Sequence, residues 1–365
     1  MEQSAPEQVP SALELPLDDP RLPAPLVDPA RVVPGGPPPD GIPPVDAPRF
    51  LPADAVPWLS DEEAVVALSV GDEHRAYPVQ VMVWHEIVND TVGGRPVSVT
   101  YCPLCSSALA FDRRLDDHLL TFGTSGRLYL SDLVMYDRQT SSLWSQLEGR
   151  AIAGVLTGDR LERVPVQTVS WGSWRDAHPD GWVLSRDTGV TRDYGRNPYV
   201  GYDAPDEAPF LFDGDADPRL PPKERVIGLG DPAEPVAVPL FALSQARVLE
   251  VDVVGDPVVV WTVEGLRSAL DTADISDGRR LAASGAFSAE VDGRRLTFVA
   301  EGPETFTDEQ TGSTWTVLGR AVAGPLAGTQ LQPAGHLDTF WFAWAAFHPE
   351  TRLLVPDEVF ATPGS

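Results

Sequence analysis

Apolar residues along this chain fall in short runs, and the spacing within each run sets what it predicts. Ala64-Val65-Val66-Ala67-Leu68 precedes Gly71-Asp72 and reads as a buried strand entering a turn. Val79, Met82, Val83, Trp84 and Ile87 recur at spacings near three and four, which predicts a short amphipathic helix over 79–88 with Pro78 at its first turn. Residues 89–94 read as a turn between β-like segments, and 96–101 alternate as a half-buried strand does. Further short apolar runs at 108–111, 119–122 and 133–136 are separated by Gly, Asp and Arg clusters. Trp171, Trp174 and the following Ala177-His178-Pro179 predict a short helix stopped by proline. Many short strands joined by tight turns predict an α+β, β-rich fold of barrel- or sandwich-like units with short helices, not a doubly wound sheet.

The pattern also repeats. A shift of 161 aligns Ala76 with Ala237, Pro78 with Pro239, Gly94 with Gly255, Pro96 with Pro257 and Ser107-Ala108-Leu109 with Ser268-Ala269-Leu270. A shift of 171 pairs Asp137, Thr140, Ser142 and Trp144 with Asp308, Thr311, Ser313 and Trp315. At 170, Trp171, Trp174, His178 and Pro179 meet Trp341, Trp344, His348 and Pro349. An ordered series of this kind predicts two tandem, degenerate copies. The expected organisation is a Pro-rich, acidic, disordered leader over 1–40, a first repeat over 41–180, an irregular connection over 181–223, a second repeat over 224–350 and a tail over 351–365.

Composition narrows the function classes. Of 365 residues, 54 are Asp or Glu and 27 are Lys or Arg, and the resulting net charge of −27 repels phosphate backbones and anionic lipid heads. Nucleic acid is therefore excluded as a partner, leaving a protein or small molecule that the sequence does not identify. No apolar run is long enough for a transmembrane helix, and the first ten residues have neither the basic nor the apolar region of a signal peptide.

The chemistry concentrates at Tyr101-Cys102-Pro103-Leu104-Cys105, which holds the only two cysteines. Two thiols at this spacing can close a disulfide or clamp a soft metal ion, and Pro103 stiffens the turn between them. The second copy lacks these groups, because Cys102 falls on Val263, Cys105 on Leu266, His85 on Ala246, Glu86 on Arg247 and Tyr101 on Thr262. One site in the first copy is expected, with Cys102, Cys105, His85 and Glu86 as candidate catalytic residues. The reading placed first is thiol–disulfide redox, with His85 stabilising a thiolate. A thioredoxin-like long helix is not expected after Cys105, since 106–111 soon meets Asp112-Arg113-Arg114. The second reading is a zinc or copper site on Cys102, Cys105 and His85 with Glu86 as a supporting partner or base. The third is a non-catalytic binding or scaffold protein with a local disulfide. His178 recurs as His348 and reads as a core or capping residue, while His74 and His118 lie in polar turns where solvated side chains are expected. Arg113 and Arg138 read as surface salt-bridge residues before anion ligands.

Gly41-Ile42-Pro43, His85-Glu86-Ile87-Val88-Asn89-Asp90, the Y-C-P-L-C segment and Tyr136-Asp137-Arg138-Gln139-Thr140 followed by Ser142-Leu143-Trp144 together resemble a prokaryotic family, Domain of Unknown Function 3179. Asn197-Pro198-Tyr199 is similar too, and the resemblance spans roughly 41–350. It implies no assigned activity. Members often carry a secretion signal or lipoprotein leader, so the resemblance implies an extracytoplasmic protein, against a cytoplasmic one on the N-terminus as it stands.

Overall fold

The computed structural model describes residues 9–230 and 233–355. It is an α+β, strand-rich structure whose α-helices are each seven residues long, as short apolar runs between breakers require. In chain order, the main elements of the first half are β1 (Val32–Pro34), β2 (Ala64–Val70), β3 (Glu73–Pro78), α1 (Val79–His85), β4 (Ile87–Val92), β5 (Arg95–Cys102) and β6 (Ser107–Asp112). They continue with β7 (Phe122–Tyr129), β8 (Asp132–Asp137), β9 (Leu143–Ser145), β10 (Arg150–Ala153), β11 (Val166–Ser170), α2 (Trp171–Ala177) and β12 (Trp182–Leu184). Between Leu184 and Arg225 no helix or strand is described. The chain then forms β13 (Arg225–Leu229), β14 (Val236–Pro239), α3 (Leu240–Ala246), β15 (Val248–Val253), β16 (Asp256–Arg267) and β17 (Arg280–Ser288). It ends with β18 (Phe298–Glu301), β19 (Thr305–Asp308), β20 (Thr314–Thr316), β21 (Ala321–Ala323), β22 (Leu337–Phe340), α4 (Trp341–Phe347) and β23 (Arg352–Leu353).

Strand order recurs between the halves. β11-β2-β3-β12 lie side by side in one sheet and β22-β13-β14-β23 in another, and in each the last pair runs parallel while the others are antiparallel. β4-β5-β6 and β15-β16-β17 are antiparallel threesomes, and β7-β8-β9-β10 is matched in order by β18-β19-β20-β21. Both α1 and α3 follow a proline, which fixes φ and has no N–H to lose at a helix start. Both stop at a residue with positive φ, Glu86 at 60° and Arg247 at 63°.

The two halves share one apolar interior. A single cluster contains Val65, Trp144, Trp171 and Trp174 together with Trp261, Trp315, Trp341 and Trp344. Backbone and side-chain bonds cross the seam as well, for Gln167 donates to the carbonyls of Ser284 and Val317 at 2.7 and 2.9 Å. Among the described residues no helix is long and apolar enough to cross a membrane.

Three expectations change with the structure. The helix expected over 79–88 stops at His85, where the positive φ of Glu86 turns the chain, and the turn expected over 89–94 is mostly β4 (Ile87–Val92), the reversal falling at Gly93-Gly94. Residues 9–40 are packed, not a disordered leader: Val32–Pro34 pairs antiparallel with β7, and Ala12, Leu17, Leu22 and Val32 form a small core with Val134, Leu143 and Ile152. Prolines suit this segment because it adds an outer strand, where a missing N–H costs no ladder bond. Residues 1–8 of the expected leader and 356–365 of the expected tail lie outside the described residues.

Candidate functional site

The cysteines occupy a hairpin turn. Cys102 ends β5 and pairs with Ser107 at the start of β6, so residues 103–106 form the loop, and Ser106 turns the chain back with a φ of 53°. No helix follows Cys105, which removes a thioredoxin-like arrangement, and the two thiols are unbonded and buried. The loop is held from outside its own half. The Cys105 carbonyl accepts the Phe340 N–H at 2.9 Å and the Thr339 hydroxyl at 2.8 Å, both from β22. From the connecting segment, the Tyr202 hydroxyl donates to the Leu104 carbonyl at 3.2 Å.

A third acidic group reaches the sulfurs. Asp132 opens β8 directly after a two-residue turn in which Leu130 and Ser131 take φ of 53° and 66°, a conformation that ordinarily selects Asn-Gly. The Cys105 thiol lies 3.7 Å from the Asp132 Oδ1 and 3.7 Å from the Ser131 carbonyl. Asp132 Oδ2 accepts the Leu147 N–H at 3.0 Å and the Ser145 hydroxyl at 3.3 Å. Ligand atoms of Cys102, Cys105 and Asp132 all lie within 4.8 Å of one another, and among the described residues no other set of three His, Cys, Asp or Glu side chains converges in this way.

Burial dominates the electrostatics. It pushes the Asp132 carboxyl up to about 7, against the Leu147 N–H and Ser145 hydroxyl that favour the carboxylate, and it pushes the Cys105 thiol well above its ordinary range. Glu86 is raised to about 8 by burial, with a smaller push from the charge of Asp132 and an opposing bond from Tyr199, whose hydroxyl is 3.5 Å away. Tyr101 is raised to about 12 by burial, and Tyr199 and Tyr202 move upward for the same reason. Neither Asp132 nor Glu86 forms a salt bridge among the described residues. The Arg225 guanidinium donates to Ser106 Oγ, in the same loop as the cysteines, at 2.8 Å and is paired with Asp203.

His85 does not join this cluster. Its Nδ1 is 2.6 Å from the Pro43 carbonyl, which can only accept, so Nδ1 carries the proton and Nε2 accepts from the Tyr194 hydroxyl at 2.6 Å. The reason is local: α1 ends at His85, and the left-handed backbone of Glu86 sends these consecutive side chains to different surroundings. His85 therefore does not converge with Cys102 and Cys105 as expected; the third group that does is Asp132. A sequence signal for Asp132 existed, since the shift of 171 puts Pro303 in its place (132 plus 171) and so marks a group absent from the second half.

Other sequence candidates are structural. Asp137 accepts the Thr140 N–H at 2.6 Å, the Thr140 hydroxyl at 2.8 Å and the Trp144 Nε1–H at 3.0 Å, and Asp308 makes the same three bonds with Thr311 and Trp315 at the same lengths. Arg138 pairs with Asp40 and Asp46 at 3.0 and 2.8 Å, while Arg113 donates to the Leu120 and Asp90 carbonyls. His74 is not freely solvated, because its ring stacks on His178 at 3.9 Å, whereas His118 is exposed.

Comparison with protein families matches residues 39–351 to the one described as protein of unknown function (DUF3179). The chain belongs to this family. No curated protein and no solved structure matches it. In this DUF3179 protein the matched span contains most of both halves and every residue of the cluster.

Proposed function

We propose that this DUF3179 protein handles a thiophilic metal ion, zinc or copper(I), held by Cys102, Cys105 and Asp132. The observation that carries the reading is the convergence of three ligand atoms, from Cys102, Cys105 and Asp132, within 4.8 Å in a buried place where none of the three residues forms a salt bridge among the described residues. Bonds of about 2.3 Å to sulfur and about 2.0 Å to oxygen at a tetrahedral centre separate S from O by about 3.5 Å. The 3.7 Å between the Cys105 thiol and Asp132 matches that separation. Burial favours the neutral forms of Cys105 and Asp132, and a bound cation would draw both to the deprotonated, ligating forms. Three protein ligands would leave one position open, and Glu86 is a buried acid close enough for the charge of Asp132 to act on it. When bound, such an ion supplies Lewis-acid or transfer chemistry.

Thiol–disulfide exchange is the second reading, favoured by the contact of Cys105 with Asp132. There Cys102 would attack a partner disulfide, and Asp132 would take the Cys105 proton as Cys105 displaces the partner's thiolate. Reactive thiols normally sit partly exposed in positive surroundings, and these are buried among acids. The order of the two readings follows from that contrast.

Matched strand orders, matched helix stops and the paired Asp137 and Asp308 staples support descent of both halves from one duplicated unit, with the site kept only in the first. An extracytoplasmic home is part of the same proposal. Replacing Cys105 with Ser decides between the chemistries: the purified chain loses its metal under the first reading, and Cys102 accumulates a mixed disulfide under the second.

A further inference from the structure

Beside the cluster, between the connecting segment and the first half, lies a cavity of about 710 Å³. Its walls include Ile42, Leu104, Leu133, Val200 and Phe210, so most of what a ligand would meet is apolar. Two cations share the lining, Arg127 and Lys223. Lys223 is the chain's only lysine and is 2% exposed. Its Nζ donates to the Tyr202 carbonyl at 2.6 Å and sits over the Tyr202 ring, 3.7 Å from the centroid. An ammonium has three protons to donate, and one is used here. No carboxylate lies within salt-bridge distance of Lys223 or Arg127 among the described residues, although the chain has twice as many acids as bases, 54 against 27. Arg127 instead gives a guanidinium N–H to the Leu13 carbonyl at 3.2 Å.

Glu207 and Asp203 act on Lys223 only at a distance, and an ammonium buried with no carboxylate in contact is costly unless a ligand completes it. The volume suits a small organic molecule, and an apolar lining with a few placed polar groups is the usual form of such sites. We propose that this cavity binds a small amphipathic anion, with an apolar body against the aliphatic and aromatic walls and one carboxylate head on Lys223. A singly charged head fits better than a phosphate, because Glu207 lines the same cavity and would repel additional negative charge. The inference rests on the cavity and not on the ion, so it is read without reference to metal content.

Calorimetric titration of the full chain with octanoate and with 1-octanol tests it. Octanoate should saturate at one molecule per chain and bind at least tenfold more tightly than octanol. Lys223→Met keeps the aliphatic stem and removes the charge, so octanoate should fall to the affinity of octanol while octanol is unchanged. Equal affinities in the unmodified protein, or binding of neither probe, would overturn the proposal without recourse to the variant. So would a folded Lys223→Met protein that still prefers octanoate.

Discussion

At the scale of single residues, what the sequence revealed depended on whether a side chain's role is written into its neighbours. Cys102 and Cys105 were legible because two thiols so spaced meet in any turn. His85 and Asp132 were not. The direction of His85 is set by the positive φ of Glu86, and Asp132 is brought in by a Leu130-Ser131 turn whose residues do not advertise its geometry. The D-x-x-T-x-S-x-W segments were legible as structure because they recur, and the bonds show why: each Asp closes its own turn and anchors a buried Trp. Asp137→Ala leaves the Trp144 Nε1–H and the Thr140 donors without an acceptor, and should cost about 3 kcal/mol. Asp308→Ala should cost a similar amount. Urea unfolding measures both, and a loss below about 1 kcal/mol in either would mean that water replaces the carboxylate.

At the scale of elements, α1 and α2 were visible because a proline bounds each and apolar positions fall on a helical period. The outer β1 and the packed chain before it were hidden, since Ala12, Leu17 and Leu22 follow no period and proline suggests disorder when read alone. The two helices followed by His-Pro share a pH response. His178 caps α2 and His348 caps α4, each with φ near −134° (−133° and −135°), and each is lowered to about 4 chiefly by burial. Neighbouring charge from His74 and Arg320 adds to the shift at His178, and that of Arg163 at His348. Because the folded value is below the ordinary value of about 6.5, the unfolded chain binds more protons between them, so this contribution is complete above about pH 6.5 and is lost as pH falls towards 4. Replacing both with Phe keeps the rings and removes the titration. The stability difference between unmodified and doubly substituted protein should shrink over that window in favour of the variant; a constant difference from pH 7 to 4 would contradict the assignment.

At the scale of the whole molecule, the series of matched positions was visible in the sequence but the contact between the two halves was not. Nothing in a one-dimensional repeat shows that β22 would cap the Cys105 carbonyl, or that tryptophans from both halves would share one interior. That sharing predicts one cooperative thermal transition for the full chain, since unfolding either half exposes the apolar face of the other. Two resolved calorimetric transitions would show that the halves are energetically separate. The connecting segment belongs to the site as well, because Tyr199 and Tyr202 stand over Glu86 and Leu104.

The central claim is that two thiols and a carboxylate, drawn from two hairpins, make one metal site. Titrating the reduced full chain with cobalt(II) reads it directly, because a thiolate bound to cobalt gives a charge-transfer band and a tetrahedral centre gives intense visible absorption. The account predicts that both signals rise together and saturate at one cobalt per chain, and that Asp132→Ala weakens binding while Cys105→Ser abolishes the two-thiolate spectrum. A titration with excess cobalt that leaves the spectrum unchanged, with both thiols still free to react, would contradict it.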